Sequence, residues 1–103
     1  MEHIKTKKEF EELTENNKNV IIDFYASWCG PCKMLAPIIE NIATTAENVK
    51  IVKVDVDEAD ELASLFGIQS IPTVVYIKDK KLEKRELGFK TKEQILANIE
   101  RIF

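Results

Sequence analysis

Apolar residues along this chain alternate between two spacings, which predicts strands and helices in turn. Residues 20–25 (Val-Ile-Ile-Asp-Phe-Tyr) form a nearly continuous apolar run of strand length, as expected of a central strand buried on both faces. A turn is predicted at residues 27–32. A helix should follow it, because five apolar residues then recur at helical spacing: Leu35, Ile38, Ile39, Ile42 and Ala46.

The remaining segments continue the alternation. Residues 6–9 (Thr-Lys-Lys-Glu) and 91–94 (Thr-Lys-Glu-Gln) have the spacing of a capping box, so each should begin a helix. Strands are predicted at residues 49–56, 73–77 and 82–87. Asp57 is expected to cap a short helix that ends at Gly67.

With a short apolar start at Ile4 counted as a strand, the order is β-α-β-α-β-α-β-β-α. Alternating strands and helices favour parallel pairing with helices on both faces of the sheet, and the short link near residue 79 adds an antiparallel hairpin. The predicted fold is a three-layer α/β domain with a central mixed five-stranded sheet flanked by four helices. No repeat or linker interrupts the chain, so residues 1–103 are expected to be a single domain.

Composition and charge exclude several classes of protein. Hydrophobic residues make up 45% and charged residues 32%, which is unlike a disordered or collagen-like chain. The net charge of −3 argues against a general nucleic-acid binder, which needs a basic excess. No apolar run has the roughly 18–20 residues of a membrane span, and residues 1–5 do not resemble a signal peptide. A soluble, cytoplasmic protein is expected.

The two cysteines, Cys29 and Cys32, are separated only by Gly30 and Pro31. A disulfide closing so short a loop would stabilise the fold by about 2 kcal/mol, against ~3 kcal/mol for a 15-residue loop, so a structural role is disfavoured. A zinc site usually needs four ligands, and the chain adds only His3 as a further Cys or His. Redox chemistry is therefore the favoured interpretation, with a structural disulfide and a metal site as alternatives.

A helix start would suit that chemistry. In the first helical turn the two Cα atoms would lie roughly 5 Å apart, inside the range of about 4.4–6.8 Å for a disulfide. The unpaired N–H groups and positive dipole end of a helix favour thiolate over thiol. Cys29 is predicted to be the exposed attacking thiolate and Cys32 the buried resolving thiol, so that a mixed disulfide forms on Cys29 and Cys32 then releases it.

Asp23 is a carboxyl group within a buried strand, where its pKa should be raised. The strand ends just before the cysteine loop, so we interpret Asp23 as a proton acceptor and donor for Cys32. The alternative is an Asp that faces water or pairs with a lysine. Lys53 on the next strand could be that lysine and would lower the pKa of Asp23, although an exposed strand lysine fits the pattern equally well. Trp28 precedes the cysteines on a turn, where a partly exposed contact surface is favoured over a core position.

Residues 23–33 (Asp-Phe-Tyr-Ala-Ser-Trp-Cys-Gly-Pro-Cys-Lys) resemble the active-site stretch of the thioredoxin family. The tetrapeptide resembles that of reducing members rather than disulfide isomerases. The resemblance spans essentially the whole chain and includes Pro37, residues 53–57 (Lys-Val-Asp-Val-Asp), residues 67–73 (Gly-Ile-Gln-Ser-Ile-Pro-Thr) and Gly88. Tyr25 departs from it, standing where many bacterial members have a second tryptophan, as does Lys80 where the hairpin usually has glycine.

The resemblance implies a protein-disulfide reductase with no bound cofactor, recharged with reducing equivalents from NADPH through thioredoxin reductase. It implies disulfide-containing protein substrates, and a monomer that binds neither nucleic acid nor membrane is expected. It also assigns the acid to Asp23 and its lysine neighbour to Lys53. The family's apolar docking surface maps onto six residues: Trp28, Gly30, Pro31, Ile71, Pro72 and Gly88. The resemblance implies a cis peptide before Pro72, whereas base rates alone predict trans, since only about 5–6% of such bonds are cis. A redox-inactive or metal-binding interaction module of the same fold, and an oxidant or isomerase, are the alternatives.

Overall fold

Four helices surround one mixed sheet in the computed structural model, which describes all 103 residues. The elements in chain order are α1 (Lys7–Asn16), β1 (Asn19–Tyr25), α2 (Gly30–Thr45), β2 (Lys50–Asp55), α3 (Asp60–Leu65), β3 (Thr73–Lys78), β4 (Lys81–Leu87) and α4 (Lys92–Ile102). No helix is both long and apolar enough to cross a membrane. The α/β alternation predicted from the apolar spacing is therefore confirmed.

The sheet has the strand order β2-β1-β3-β4, with β1 parallel to β2 and β3 antiparallel to both β1 and β4. Side chains of β1 alternate between two cores because successive residues of a strand point to opposite faces. Ile22 and Phe24 pack in the cluster that includes residues of α1 and α3. Ile21 packs with residues of α2 and α4. Asp23 and Tyr25 share the face of Ile21, which is the face covered by α2.

The prediction of a fifth strand at Ile4 is wrong, because the sheet has four strands. The N-terminal segment makes only one isolated bridge, between His3 and Lys53. Glu2 accepts the Lys53 N–H at 3.0 Å, and Ile4 donates its own N–H to the Lys53 carbonyl at 3.1 Å. The chain leaves the edge of β2 there because Thr6, two residues after Ile4, already caps α1.

Both capping boxes are present, since Thr6 accepts from the N–H of Glu9 and Thr91 from that of Gln94. The predicted cap of α3 by Asp57 is wrong. Helix α3 begins after Ala59, which has no side-chain cap. The Asp57 carboxylate instead accepts a hydrogen bond from the indole of Trp28, which no local pattern near α3 could indicate.

The hairpin between β3 and β4 turns through Asp79 and Lys80, which have φ values of 51° and 69°. Two consecutive left-handed residues match the twist of the flanking strands, as in a type I′ turn. That conformation explains why glycine is usual where Lys80 stands. The Lys80 ammonium lies 2.6 Å from a carboxylate oxygen of Glu15, so an ion pair accompanies the unusual backbone.

Candidate active site

Cys29 and Cys32 are joined by a disulfide at the start of α2, with their Cα atoms 5.2 Å apart. Cys29 is the N-cap residue and Pro31 lies in the first turn, where its missing N–H leaves no helical hydrogen bond unmade. The Cys29 Sγ accepts a hydrogen bond from the backbone N–H of Cys32 at 3.2 Å. The sulfur of Cys29 therefore lies where a helix terminus favours negative charge.

The expected difference in exposure between the two cysteines is absent from this oxidised state. Cys29 is 4% exposed and Cys32 is 3% exposed, so the prediction of an exposed Cys29 is wrong here. Both pack in a small cluster with Ala26, which Tyr25 and Ile71 also contact. The disulfide and the Cys32 N–H hold the Cys29 sulfur inward. The cysteines differ in position rather than in burial, because Cys29 precedes the helix and Cys32 lies one turn inside it.

Asp23 is almost completely buried, at 1% exposure, and neither of its carboxylate oxygens has a hydrogen-bond partner. Burial raises the pKa of Asp23 from 3.8 to about 6, and the positive charge of Lys53 opposes that rise. Asp23 precedes Tyr25 by two residues, so its carboxyl group lies on the same face of β1, the one covered by α2. A buried acid with a pKa near neutrality is suited to accept and return a proton.

Lys53 pairs in register with Asp23 across β1 and β2. It is buried, at 8% exposure, so the alternative of an exposed strand lysine is wrong. Its ammonium lies over the ring of Tyr25, with the Nζ atom 4.4 Å from the ring centroid. The cation thus acts on Asp23 through space, without belonging to any of the four close ion pairs of the structure.

Trp28 is 68% exposed beside the cysteines, and its indole N–H donates to the Asp57 carboxylate at 2.8 Å. The hydrogen bond fixes a large apolar side chain at the surface, which suits contact with another protein. Gly30 and Pro31 are also exposed. A small groove of about 160 Å³ lies next to Trp28 and is lined by residues that include Ile68, Ser70 and Ile71.

The Ile71–Pro72 peptide bond is cis, as the resemblance implies and against the base-rate expectation. Ile71 is half-buried against the cysteine cluster, whereas Pro72 is buried. The carbonyl of Pro72 accepts the N–H of Gly88 at 2.8 Å, which brings the end of β4 to the same edge. Gly88 has a φ of 87°, a conformation that favours glycine. Residues far apart in sequence thus meet beside the disulfide.

Two contributors to the site were not identified from the sequence. The sequence pattern favours Asp57 as the cap of α3, whereas its carboxylate binds the indole of Trp28, and Tyr25 is a departure from the family pattern whose ring lies against the Lys53 ammonium. The position of Tyr25 on the same strand face as Asp23 was the available signal. No group of three or more His, Cys, Asp and Glu side chains lies close enough to hold a metal ion.

Because two cysteines at a helix start can form and break a disulfide without moving the backbone, the geometry supports a dithiol–disulfide oxidoreductase. Comparison with known proteins agrees, since the thioredoxin family model matches residues 2–101. The thioredoxin of Mycoplasmoides gallisepticum is 46% identical over 95 residues, covering 92% of this chain and 95% of its own length. The thioredoxin of Bacillus subtilis is 47% identical over 77 residues, covering 74% of each chain.

Solved structures show the same relationship. A mutant thioredoxin from Halobacterium salinarum superposes with a TM-score of 0.92 at 34% identity, covering 97% of this chain and 88% of its own. Oxidised mitochondrial thioredoxin 3 of Saccharomyces cerevisiae has a TM-score of 0.92 at 32% identity, covering 99% and 95%. This chain belongs to the thioredoxin family. Its cysteine pair and its relatives support protein-disulfide reductase activity on disulfide-containing proteins.

Proposed function

We propose that the chain reduces disulfides in partner proteins, with Cys29 as the attacking thiolate and Cys32 as the resolving thiol. The Cys29 thiolate attacks one sulfur of the substrate disulfide, and the other substrate sulfur leaves as a thiolate that takes up a proton from water. The Cys32 thiolate then attacks the Cys29 sulfur, which releases the second substrate sulfur as a thiolate that is protonated in the same way. Two electrons pass to the substrate, and the Cys29–Cys32 disulfide is formed. The hydrogen bond from the Cys32 N–H to the Cys29 sulfur carries this assignment.

In this proposal Asp23 removes the proton of Cys32 before the second step and returns it in the reverse direction. Burial supports the role, because a pKa of about 6 lets the carboxyl group hold or release a proton near neutral pH. Lys53 tunes the pKa of Asp23 downward through its charge. Without that charge, burial alone would raise the pKa further.

The substrate chain would dock on the surface formed by Trp28, Gly30, Pro31, Ile71, Pro72 and Gly88. Exposure of Trp28 and its fixed orientation support a contact role. The contact of Ile71 with the cysteine cluster would bring a docked chain to the disulfide. Pro72 is buried and would act through the backbone that it shapes.

The oxidised protein would need an electron donor to return to the dithiol state. Thioredoxin reductase would recharge the dithiol with reducing equivalents from NADPH, and the protein itself would bind no cofactor. Residues 1–103 would act as a single domain and a monomer in the cytoplasm. The net charge of −3 supports protein partners over nucleic acid.

Insulin reduction with dithiothreitol as the electron source tests the proposal. Cys29→Ser should abolish turnover. The matched variant Cys32→Ser should also lose turnover but should accumulate a mixed disulfide through Cys29, visible by mass. Unchanged turnover in Cys29→Ser, or a mixed disulfide that accumulates through Cys32 in Cys29→Ser and not through Cys29 in Cys32→Ser, would contradict the assignment. Equilibration with glutathione at a reduction potential of about −120 mV would favour an oxidant over a reductase.

A further inference from the structure

Tyr25 and Lys53 make an unusual contact behind the disulfide. The two residues lie on neighbouring strands, and the Lys53 ammonium is 4.4 Å from the centroid of the Tyr25 ring. We propose that Tyr25 is a positioning residue whose ring binds the Lys53 ammonium and holds it off the Asp23 carboxylate. The inference deepens the proposed function and rests on the role given there to Asp23 in proton transfer.

The register between β1 and β2 places Lys53 beside Asp23, yet the two side chains do not form an ion pair. Asp23 and Lys53 are partners in the parallel ladder, yet no Lys53–Asp23 contact lies within the 4.0 Å that defines an ion pair. Both Asp23 oxygens are buried and unpaired. The Lys53 ammonium makes no ion pair within that distance, and the face of an aromatic ring attracts cations. The ring therefore competes with the carboxylate for Lys53.

The Tyr25 ring is itself held in place. It contacts the cluster of Ala26, Cys29 and Cys32 on one side. The His3 ring meets it edge-on, with the centroids 5.9 Å apart and the planes at 69°. His3 is fixed by the same isolated bridge that joins the N-terminal segment to Lys53. The ring thus has packing partners in the cysteine cluster and in the N-terminal segment.

The charges around this contact favour a cation on a neutral ring. Burial raises the pKa of Tyr25 above its usual value, and nearby Asp55 and Glu58 raise it further, so the hydroxyl remains protonated at neutral pH. The titratable groups that face the contact come from β1, β2, the loop after β2 and the N-terminal segment: Asp23, Tyr25, Lys53, Asp55, Glu58 and His3. The α2 side contributes Cys29 and Cys32, which do not titrate while bonded.

Keeping the ammonium off the carboxylate has a chemical consequence. A direct ion pair in a buried site would hold Asp23 ionised and prevent it from carrying a proton near neutral pH. With the ammonium on the ring, Lys53 moderates the effect of burial without cancelling it. Tyr25 would therefore set the working range of the proposed proton acceptor while touching neither the substrate nor the cysteine proton.

The test is the pKa of Asp23, measured from its carboxyl ¹³C shift in the oxidised protein without substrate. Tyr25→Leu should lower this pKa by about 0.5 pH unit or more, because the freed ammonium moves to the nearest buried anion. Tyr25→Phe keeps the ring and should preserve the parent value. A ring-fluorinated phenylalanine at position 25 keeps the shape but loses the negative ring face, so it should behave like Tyr25→Leu. That variant remains informative if Tyr25→Leu does not fold.

The Lys53→Met background supplies the control. There, Tyr25→Leu should leave the pKa of Asp23 unchanged, because no ammonium remains to be released. A persisting change in this background would assign the effect to altered burial and overturn the proposal. An unchanged or raised pKa in the fluorinated variant would overturn it as well. The measurement needs no turnover, so its failure is distinct from failure of the reductase assignment, which the cysteine variants test.

Discussion

Asp23→Asn should change how the stability of the protein depends on pH. The carboxyl group has a pKa of about 6 in the fold, against 3.8 as its ordinary value, and burial is the largest cause. A raised pKa means that the fold disfavours the ionised form. Asparagine cannot ionise, so the variant escapes this penalty at neutral pH while keeping a similar shape.

The magnitude follows from linkage between protonation and folding. Between 3.8 and about 6 the folded state binds the proton that the unfolded state has released, so the parent loses stability as pH rises through this window. The loss is complete above the folded pKa and absent below the unfolded one. The gap between the two values corresponds to about 3 kcal/mol at 1.36 kcal/mol per pH unit.

Urea unfolding of the oxidised proteins at a series of pH values, followed by circular dichroism, measures the effect. The free energy of unfolding of Asp23→Asn minus that of the parent should increase by about 3 kcal/mol from about pH 3.5 to about pH 8. The difference between variant and parent cancels the contribution of the groups that titrate alike in both proteins. The same substitution at the exposed Asp60 controls for the loss of one negative charge. A difference that stays constant over this range would refute the reasoning.

Two further predictions concern the rim of the site and the distant hairpin. Trp28→Ala removes the exposed indole held by Asp57, so the KM for insulin should rise about fivefold or more, with little change in the alkylation rate of Cys29; an unchanged KM would argue against the docking role. Asp79 and Lys80 are both in the left-handed conformation, which Asn-Gly adopts more readily. Replacing Asp79-Lys80 by Asn-Gly should therefore raise the free energy of unfolding by about 1 kcal/mol. The lost ion pair with Glu15 is exposed and should cost less than about 1 kcal/mol, so a net decrease on urea unfolding would contradict the prediction.

Local pattern was sufficient for the elements that dominate the fold. The apolar run of β1 identified the central strand, and the two capping boxes marked the starts of α1 and α4. The spacing of Cys29 and Cys32 predicted a disulfide-compatible separation at a helix start, and the structure has 5.2 Å between their Cα atoms. In each case residues close in sequence determine the feature.

The features that the sequence did not predict depend on partners distant in the chain. Asp57 lies near α3 in sequence but bonds to Trp28, because the end of β2 and the turn after β1 meet at one edge. Ile4 resembles the start of a strand, but the N-terminal segment makes only the single bridge between His3 and Lys53, because α1 begins at once. Lys53 is buried with its ammonium over the Tyr25 ring, a contact between neighbouring strands that the residue spacing within β2 alone does not show.

The central claim is that the start of α2 stabilises a thiolate on Cys29, and its most direct test is the alkylation rate of Cys29 in the reduced protein as a function of pH. Cys32→Ser allows the signal to be assigned to one sulfur. The hydrogen bond from the Cys32 N–H and the helix terminus predict a pKa for Cys29 below the value of about 8.5 of an ordinary cysteine. A pKa of about 8.5 or higher, the value of an ordinary cysteine, would contradict the account.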